Sequence, residues 1–311
     1  MRILKALAAA LLVAAVALVA FVQLAPATAL RLGFDAERSR SGLVRKEIDL
    51  PDGLHYVYLE GGSGEPLVLL HGFGANKDNF TRIARFLTPR YRVIIPDHIG
   101  FGESSHPMEA DYTPPAQAER LHALTIALGL DRVHVGGNSM GGHIALSWAA
   151  AHPDDVASLW LLDAAGIWSA PKSELAETIE KTGVNPLNPT DTDGFVRLYE
   201  FAMSDPPYVP RVILDAMAEE RIANAPLEAK IFEQLRGDDA EERIRGMQTP
   251  SLIVWGDEDR ALHVGTAEVL HGLLPNSEVV ILEGIGHLPQ LEAPERCAQD
   301  YLRFREGVGR S

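Results

Sequence analysis

The segment 133–144, with the sequence VHVGGNSMGGHI, most constrains how this 311-residue chain can fold. Its apolar alternation ends in glycines, which is typical of a β-strand, and a helical pattern follows directly. Ser139 therefore lies at the apex of a sharp strand-turn-helix elbow. Gly137 and Gly141 flank it at the G-x-S-x-G spacing, which an elbow needs because neighbouring backbone comes too close for a Cβ atom. The pattern predicts that Ser139 is a catalytic nucleophile.

Short apolar segments alternate with helical patterns around this elbow. Strands are predicted at about 47–50, 55–59, 66–70, 92–96, directly before Ser139, 158–162, 251–255 and 277–282. Alternation of this kind predicts an α/β fold with a mostly parallel, eight-stranded sheet and right-handed crossovers. Such sheets place their functional sites at the carboxyl ends of the strands.

The interval of about 167–247 interrupts this alternation of strands and helices. It contains no strand-like run, only helix-like segments that carry apolar residues. An insertion of this length between two sheet strands predicts a helical cap over the site, placed between the sixth and seventh strands.

Composition excludes several classes of function. The chain is 46% hydrophobic and 23% charged, which suits a globular core, and its net charge of -15 argues against a nucleic-acid partner. Its one cysteine, Cys297, excludes an intramolecular disulfide and a cysteine-based zinc site. The sequence has no H-E-x-x-H motif and no G-x-G-x-x-G after a strand, so we expect neither a catalytic metal nor a dinucleotide cofactor.

The N-terminal segment 1–31 is predicted to lie outside the globular fold. Arg2 and Lys5 precede an uncharged apolar stretch at 6–22, which approaches the roughly 20 residues that a membrane-spanning helix needs. A cleaved signal peptide is the alternative, because A-x-A sites follow the stretch, but the stretch exceeds the usual apolar region of about 7–15 residues. We predict a membrane anchor at 1–31, a linker at 32–44 and a catalytic domain at 45–311. Because basic residues lie on both sides of the apolar stretch, the sequence does not predict which face of the membrane carries the catalytic domain.

A serine hydroxyl needs a base to accept its proton and a third group to orient that base. His287 is the candidate base, since it lies in the loop that follows the last predicted strand, next to Gly286. The flanking glycines leave this loop free to approach Ser139.

Asp259 is the candidate acid, because it follows the penultimate strand with the spacing Trp-Gly-x-x-Asp. Asp257 and Glu258 are its neighbours and competitors. Asp163, which follows the strand after the nucleophile helix, is a more distant alternative.

The oxyanion hole requires two backbone N–H groups that point at the developing negative charge. Met140 supplies one because it follows the nucleophile, and Phe73, in the loop after the third strand, is expected to supply the other. His71 is interpreted as a buried histidine that stabilises this loop.

From about residue 45 onward, the sequence resembles the α/β-hydrolase superfamily. The resemblance rests on His71-Gly-Phe-Gly74, Asp97 to Ser104, Gly137 to Gly142, Trp255 to Asp259 and Gly286-His287. The segment from His71 to Asp78, the Ser139-Met-Gly-Gly-His143 elbow and the apolar N-terminus are similar to membrane-bound monoacylglycerol lipases and related bacterial lipases.

This resemblance implies that Ser139 is the nucleophile, Asp259 the acid and His287 the base, with Phe73 and Met140 forming the oxyanion hole. It also implies hydrolysis of lipid-like carboxylic esters through an acyl-serine intermediate, with no cofactor. Two alternatives stay open: hydrolysis of a carbon–carbon bond in ring-cleavage products with the same triad, and a non-catalytic ligand-binding member of the fold.

Overall fold

Eight strands form one sheet in the computed structural model, which describes residues 2–308. They are β1 (Leu43–Asp49), β2 (His55–Gly61), β3 (Glu65–Leu70), β4 (Tyr91–Pro96), β5 (Val133–Asn138), β6 (Val156–Leu162), β7 (Ser251–Gly256) and β8 (Ser277–Leu282). Their spatial order is β1-β2-β4-β3-β5-β6-β7-β8. The pairs β1–β2 and β2–β4 are antiparallel and all others are parallel. The predicted mostly parallel sheet of eight strands is confirmed, with the mixed orientation confined to one edge.

Twelve α-helices accompany the sheet within residues 2–308. They are α1 (Arg2–Leu24), α2 (Pro26–Arg40), α3 (Thr81–Leu87), α4 (Pro114–Ala127), α5 (Met140–Ala151), α6 (Glu174–Thr182), α7 (Thr192–Ala202), α8 (Arg211–Arg236), α9 (Glu241–Ile244), α10 (Thr266–Leu273), α11 (Pro289–Glu292) and α12 (Pro294–Val308). A 3₁₀ turn at Lys77–Phe80 precedes α3.

The sheet is covered on both faces, which explains why its central strands are apolar throughout. One core joins the sheet to α4, α5 and α10, and the other joins it to α3 and α12. In the second core the Trp160 ring of β6 stacks on Tyr301 of α12, with ring centroids 4.5 Å apart. The two layers hold the carboxyl ends of β3–β8 at one edge, where the site lies.

The cap consists of α6 to α9, which lie between β6 and β7. Its longest helix, α8, packs its apolar side onto the core through Leu227, Ile231 and Leu235. The cap is therefore packed onto the sheet domain rather than suspended above it.

The predicted linker at 32–44 is wrong. This interval contains the second half of α2 and the beginning of β1, and α2 packs against α8, α3 and β1. Arg38 of α2 binds the buried Asp78 through two side-chain hydrogen bonds, one of 2.7 Å. The polar composition of 35–43 belongs to a helix with a solvent-facing side, and Pro26 at its first turn marks where it begins. The boundary predicted at 31 thus falls inside α2, whereas α1 has no buried residue.

Candidate active site

The nucleophile elbow has the geometry that its glycines require. Ser139 lies between β5 and α5 with φ 55° and ψ -118°, a conformation that non-glycine residues seldom adopt. A Cβ atom on Gly141 would lie 2.0 Å from the carbonyl oxygen of Leu70, and one on Gly137 would lie 2.3 Å from the carbonyl carbon of Gly141. Both glycines are needed because backbone occupies the space of a side chain.

Backbone hydrogen bonds from the next strand hold Ser139 in this conformation. Its N–H donates to the carbonyl oxygens of Leu162 at 3.0 Å and Asp163 at 3.1 Å. Its own carbonyl oxygen accepts from the N–H of Ala165 at 3.0 Å. The end of β6 therefore stabilises the strained residue on which the elbow depends.

The histidine and the acid contact each other directly. His287 Nδ1 lies 2.8 Å from Asp259 Oδ2, and both side chains are almost fully buried. Asp259 Oδ1 accepts from the N–H groups of Ala261 at 2.8 Å and Leu262 at 3.0 Å. A proton on Nδ1 that donates to this carboxylate leaves Nε2 free to accept a proton from a serine.

The two neighbouring acids have other partners. Asp257 accepts from the N–H of Gly284 at 2.7 Å, and Glu258 accepts from the hydroxyl of Ser204 in the cap. Among the three adjacent acidic residues, Asp259 alone binds His287 in the described structure.

Asn138, the residue before the nucleophile, joins the elbow to the histidine loop. Its Nδ2 donates to the carbonyl oxygen of His287 at 3.0 Å and to that of Leu162 at 3.1 Å. Sequence reasoning missed this residue. Its position beside Ser139 was visible, but its partner lies 149 positions further along the chain.

Glu292 is a second residue that the sequence analysis missed. Its carboxylate accepts from the N–H groups of Gly286 at 3.1 Å, Leu288 at 3.3 Å and Ser204 at 2.8 Å. The N–H of His287 itself donates to the carbonyl oxygen of Ala202 at 3.0 Å. The loop that carries His287 is therefore fixed on one side by the elbow and on the other by the end of α7.

Ser139 and His287 do not share a hydrogen bond in the described part of the chain, residues 2–308. Catalytic hydrogen bonds are often long in free enzymes and shorten when substrate binds. The bond from Asn138 to the carbonyl of His287 places the two residues on adjacent backbone segments.

The loop after β3 that contains Gly72 and Phe73, predicted to form part of an oxyanion hole and called the oxyanion loop below, runs directly beside Ser139. A Cβ atom on Gly72 would lie 3.2 Å from the Ser139 Cβ. Within residues 2–308 the N–H of Phe73 has no hydrogen-bond acceptor, and Met140 opens α5. Helix N-termini carry free N–H groups and partial positive charge, which favour an oxyanion.

His71 supports the oxyanion loop and takes no charge. It is fully buried, its Nδ1 lies 2.8 Å from the Gly72 carbonyl oxygen, and its Nε2 accepts from the N–H of His98 at 3.0 Å. Burial lowers the pKa of His71 to about 3, so the ring is neutral at physiological pH. This geometry agrees with the structural role expected from the sequence.

Two clusters of described residues bring three potential metal donors within 4.8 Å of one another. The first contains Asp259 and His287, whose facing atoms already bind each other. The second contains His122 and His152, whose rings stack with centroids 3.8 Å apart and planes 12° apart. Because the lone pairs of imidazole lie in the ring plane, stacked rings do not aim them at one ion. Neither donor set is arranged for a metal.

Comparison with known proteins places the chain in a class. The family model for the alpha/beta hydrolase fold matches residues 65–294. The chain therefore belongs to the α/β-hydrolase family, as the elbow, the sheet order and the inserted cap indicate.

Several of the proteins to which the chain is similar are lipases. The chain is 48% identical over 277 residues to Lipase 1 of Psychrobacter immobilis, covering 86% of each protein. It is 30% identical over 253 residues to Monoacylglycerol lipase abhd6-B of Xenopus laevis, covering 76% of this chain and 74% of that one. A crystal structure of a membrane phospholipase A, described as a bacterial virulence factor, matches with a TM-score of 0.89 and 42% identity over the full length of both chains. The predicted α/β-hydrolase enzyme with lipase and esterase relatives is confirmed.

Proposed function

We propose that the protein is a serine hydrolase that cleaves carboxylic esters of lipid-like substrates, with monoacylglycerols as the preferred class. The observation that carries this proposal is the hydrogen bond of 2.8 Å between His287 and Asp259, next to the strained elbow of Ser139. Lipase and monoacylglycerol lipase relatives support the choice of ester over other acyl compounds.

The proposed reaction is a two-step acyl transfer. Ser139 Oγ attacks the ester carbonyl while His287 Nε2 takes its proton, and the N–H groups of Phe73 and Met140 bind the oxyanion. His287 then returns the proton to the leaving alcohol, which departs from an acyl-serine. Water attacks this ester with His287 again as the base, and the fatty acid leaves. Asp259 stabilises the imidazolium that forms in each step.

Aromatic packing above the oxyanion loop supports a lipid-like acyl chain. The Phe73 ring packs edge-on against Phe101 with centroids 5.7 Å apart, and against Phe232 of the cap helix α8 at 5.4 Å. An acyl chain gains about 0.8 kcal/mol for each CH₂ that leaves water, so a substrate site formed against these rings would favour long chains over short ones.

We also propose that α1 anchors the enzyme in a membrane. It is the one helix within residues 2–308 that is long and apolar enough to cross a bilayer, and it has no buried residue. A signal segment meets the same criterion. Because α2 follows α1 immediately and packs on the cap helix α8, an anchored α1 would hold the site close to membrane lipids.

Hydrolysis of a substrate panel tests the proposal. Full-length protein in detergent is assayed with monoacylglycerols, triacylglycerols and short aryl esters, and Ser139→Ala serves as the matched control because it removes one oxygen. We expect turnover of monoacylglycerols and short esters that the substitution abolishes. A preference for triacylglycerols would refute the substrate class. Turnover of ring-cleavage products without ester hydrolysis would favour the carbon–carbon hydrolase.

A further inference from the structure

We propose that Asp163 is a positioning residue: a neutral carboxylic acid that donates a hydrogen bond to the Asp259 carboxylate and so fixes the acid of the triad. This inference rests on the proposed function. By its place after β6, Asp163 is an alternative candidate for the acid, but its position in the structure indicates a different role.

Asp163 connects the nucleophile to the strand that carries the acid. Its carbonyl oxygen accepts from the N–H of Ser139 at 3.1 Å, and its own N–H donates to Val254 of β7 at 3.0 Å. Its side-chain Oδ1 accepts from the N–H of Gly256, at the end of β7, at 3.0 Å. Its φ of 45° is one of two positive values among the non-glycine residues described. The residue is thus held from several sides in a conformation that few side chains tolerate.

The carboxyl group of Asp163 lies beside the Asp259–His287 pair. One carboxyl oxygen from each aspartate and one ring nitrogen of His287 lie within 4.8 Å of one another. Asp163 Oδ2 is buried and has no hydrogen-bond partner in the described chain. A buried carboxyl oxygen without a donor is costly unless it carries the proton itself. A proton on Oδ2 converts it into a donor, and the neighbouring carboxylate is the acceptor at hand.

Charge determines which aspartate holds the proton. Asp259 already accepts from two backbone N–H groups and from His287, which stabilise its ionised form. Asp163 accepts from one N–H group, and in residues 2–308 no lysine or arginine forms an ion pair with either aspartate. Burial and the nearby charges of Asp259 and Glu292 raise the pKa of Asp163 well above its usual value. Asp163 is therefore the member that stays neutral.

Two substitutions at this position separate the proton from the side chain. Asp163→Asn keeps the acceptor for Gly256 and supplies a permanent N–H donor to Asp259, so we expect kcat within about threefold of wild type. Asp163→Gly removes the donor, and glycine tolerates the positive φ that alanine would not. We expect its kcat to fall on the order of 10- to 100-fold with KM nearly unchanged, since a hydrogen bond to a charged group is lost.

The acid limb of the pH dependence of kcat/KM shows whether Asp163 is charged. Loss of an ionised carboxylate beside His287 would lower the pKa of the imidazole and move the limb of kcat/KM to lower pH. A neutral Asp163 predicts that the limbs of Asp163→Asn and wild type coincide. Asp257→Asn is the matched control, because it removes an exposed carboxylate two positions from Asp259 and calibrates the shift that real charge loss produces.

Difference infrared spectra of wild type against Asp163→Asn give a readout besides activity, since we expect the variant to lose a protonated carboxyl band at neutral pH. A limb of Asp163→Asn that lies at lower pH than the wild-type limb, by at least the shift seen in Asp257→Asn, would overturn the inference, and so would the absence of a lost band. So would wild-type activity in Asp163→Gly. If Asp163→Gly does not fold, the comparison of Asp163→Asn with Asp257→Asn tests the inference. Ser139→Ala reports separately on the proposed function, which fails if that variant stays active.

Discussion

Replacement of Asn138 by aspartate tests how the elbow and the histidine loop are held together. Asn138 is 1% exposed, and its Nδ2 donates to the carbonyl oxygens of Leu162 and His287. Aspartate has the same shape, but when ionised it donates to neither carbonyl oxygen, and when protonated it donates to only one. The substitution therefore weakens or removes the connection without changing the volume of the side chain.

The two carbonyl oxygens that accept from Asn138 differ in their other partners, and this sets the energetic cost of the substitution. The carbonyl oxygen of Leu162 also accepts from the N–H of Ser139, so loss of the Asn138 bond there costs the ordinary net value of about 0.5–1.5 kcal/mol. The carbonyl oxygen of His287 has no other donor in residues 2–308, and leaving it unsatisfied costs about 1–3 kcal/mol. The free energy of unfolding should fall by about 2–4 kcal/mol, which lowers the melting temperature of a chain of 311 residues by about 3–6 °C.

Activity should fall more than stability alone explains. Displacement of the histidine loop by a fraction of an ångström should lower kcat by about tenfold or more, while KM changes little because the cap and the rings around Phe73 are unchanged. Thermal unfolding and steady-state hydrolysis of a short aryl ester measure the two effects. The control is Asn276→Asp, since Asn276 also donates through Nδ2 to a carbonyl oxygen, at 3.1 Å, but is exposed. If Asn138→Asp melts and turns over like this control, the proposed connection is wrong.

Two further predictions concern stability. Arg38→Ala leaves Asp78 buried without its guanidinium partner, so unfolding in urea should show a loss of about 3 kcal/mol. Arg40→Ala removes an exposed pair and should cost less than about 0.5 kcal/mol; equal losses would refute the importance of α2 packing. Burial opposes ionisation of Asp238, but hydrogen bonds from His143 and from the guanidinium of Arg243 hold its pKa at about 2. This pKa lies below the unfolded value, so the contribution of Asp238 is present above about pH 4 and is lost as the pH falls toward 2. The stability difference between wild type and Asp238→Asn should therefore shrink below pH 4, and a difference independent of pH would contradict the assignment.

Local patterns were enough to select Ser139, Asp259 and His287, which lie on neighbouring loops in the structure. The elbow around Ser139 is encoded by adjacent glycines, and the sheet places the loops that carry Asp259 and His287 at one edge. Within the acidic run 257–259, the choice of Asp259 rested on spacing. In the structure Asp257 and Glu258 bind loop and cap groups, which leaves Asp259 for the imidazole.

The features that the sequence did not reveal depend on distant partners. The helix α2 resembled a linker because its own residues are polar, whereas its place is set by the bond from Arg38 to Asp78, 40 positions away. Asn138 and Glu292 carry no motif, and their roles follow from carbonyl and N–H groups on other segments. Asp163 was visible as a carboxylate after a strand, but only the fold shows that it faces a second carboxylate rather than acting alone.

The most direct test of the central claim is covalent labelling with a fluorophosphonate probe, followed by peptide mapping. Ser139 lies in the elbow next to the His287–Asp259 pair, so we expect one labelled peptide, 133–144 or a fragment containing residue 139, in folded wild-type protein. His287→Ala should slow the labelling at least 100-fold while the protein keeps its melting temperature within a few degrees. Absence of labelling in folded wild-type protein, or labelling that proceeds equally fast without the imidazole, would contradict the account and favour a non-catalytic ligand-binding protein.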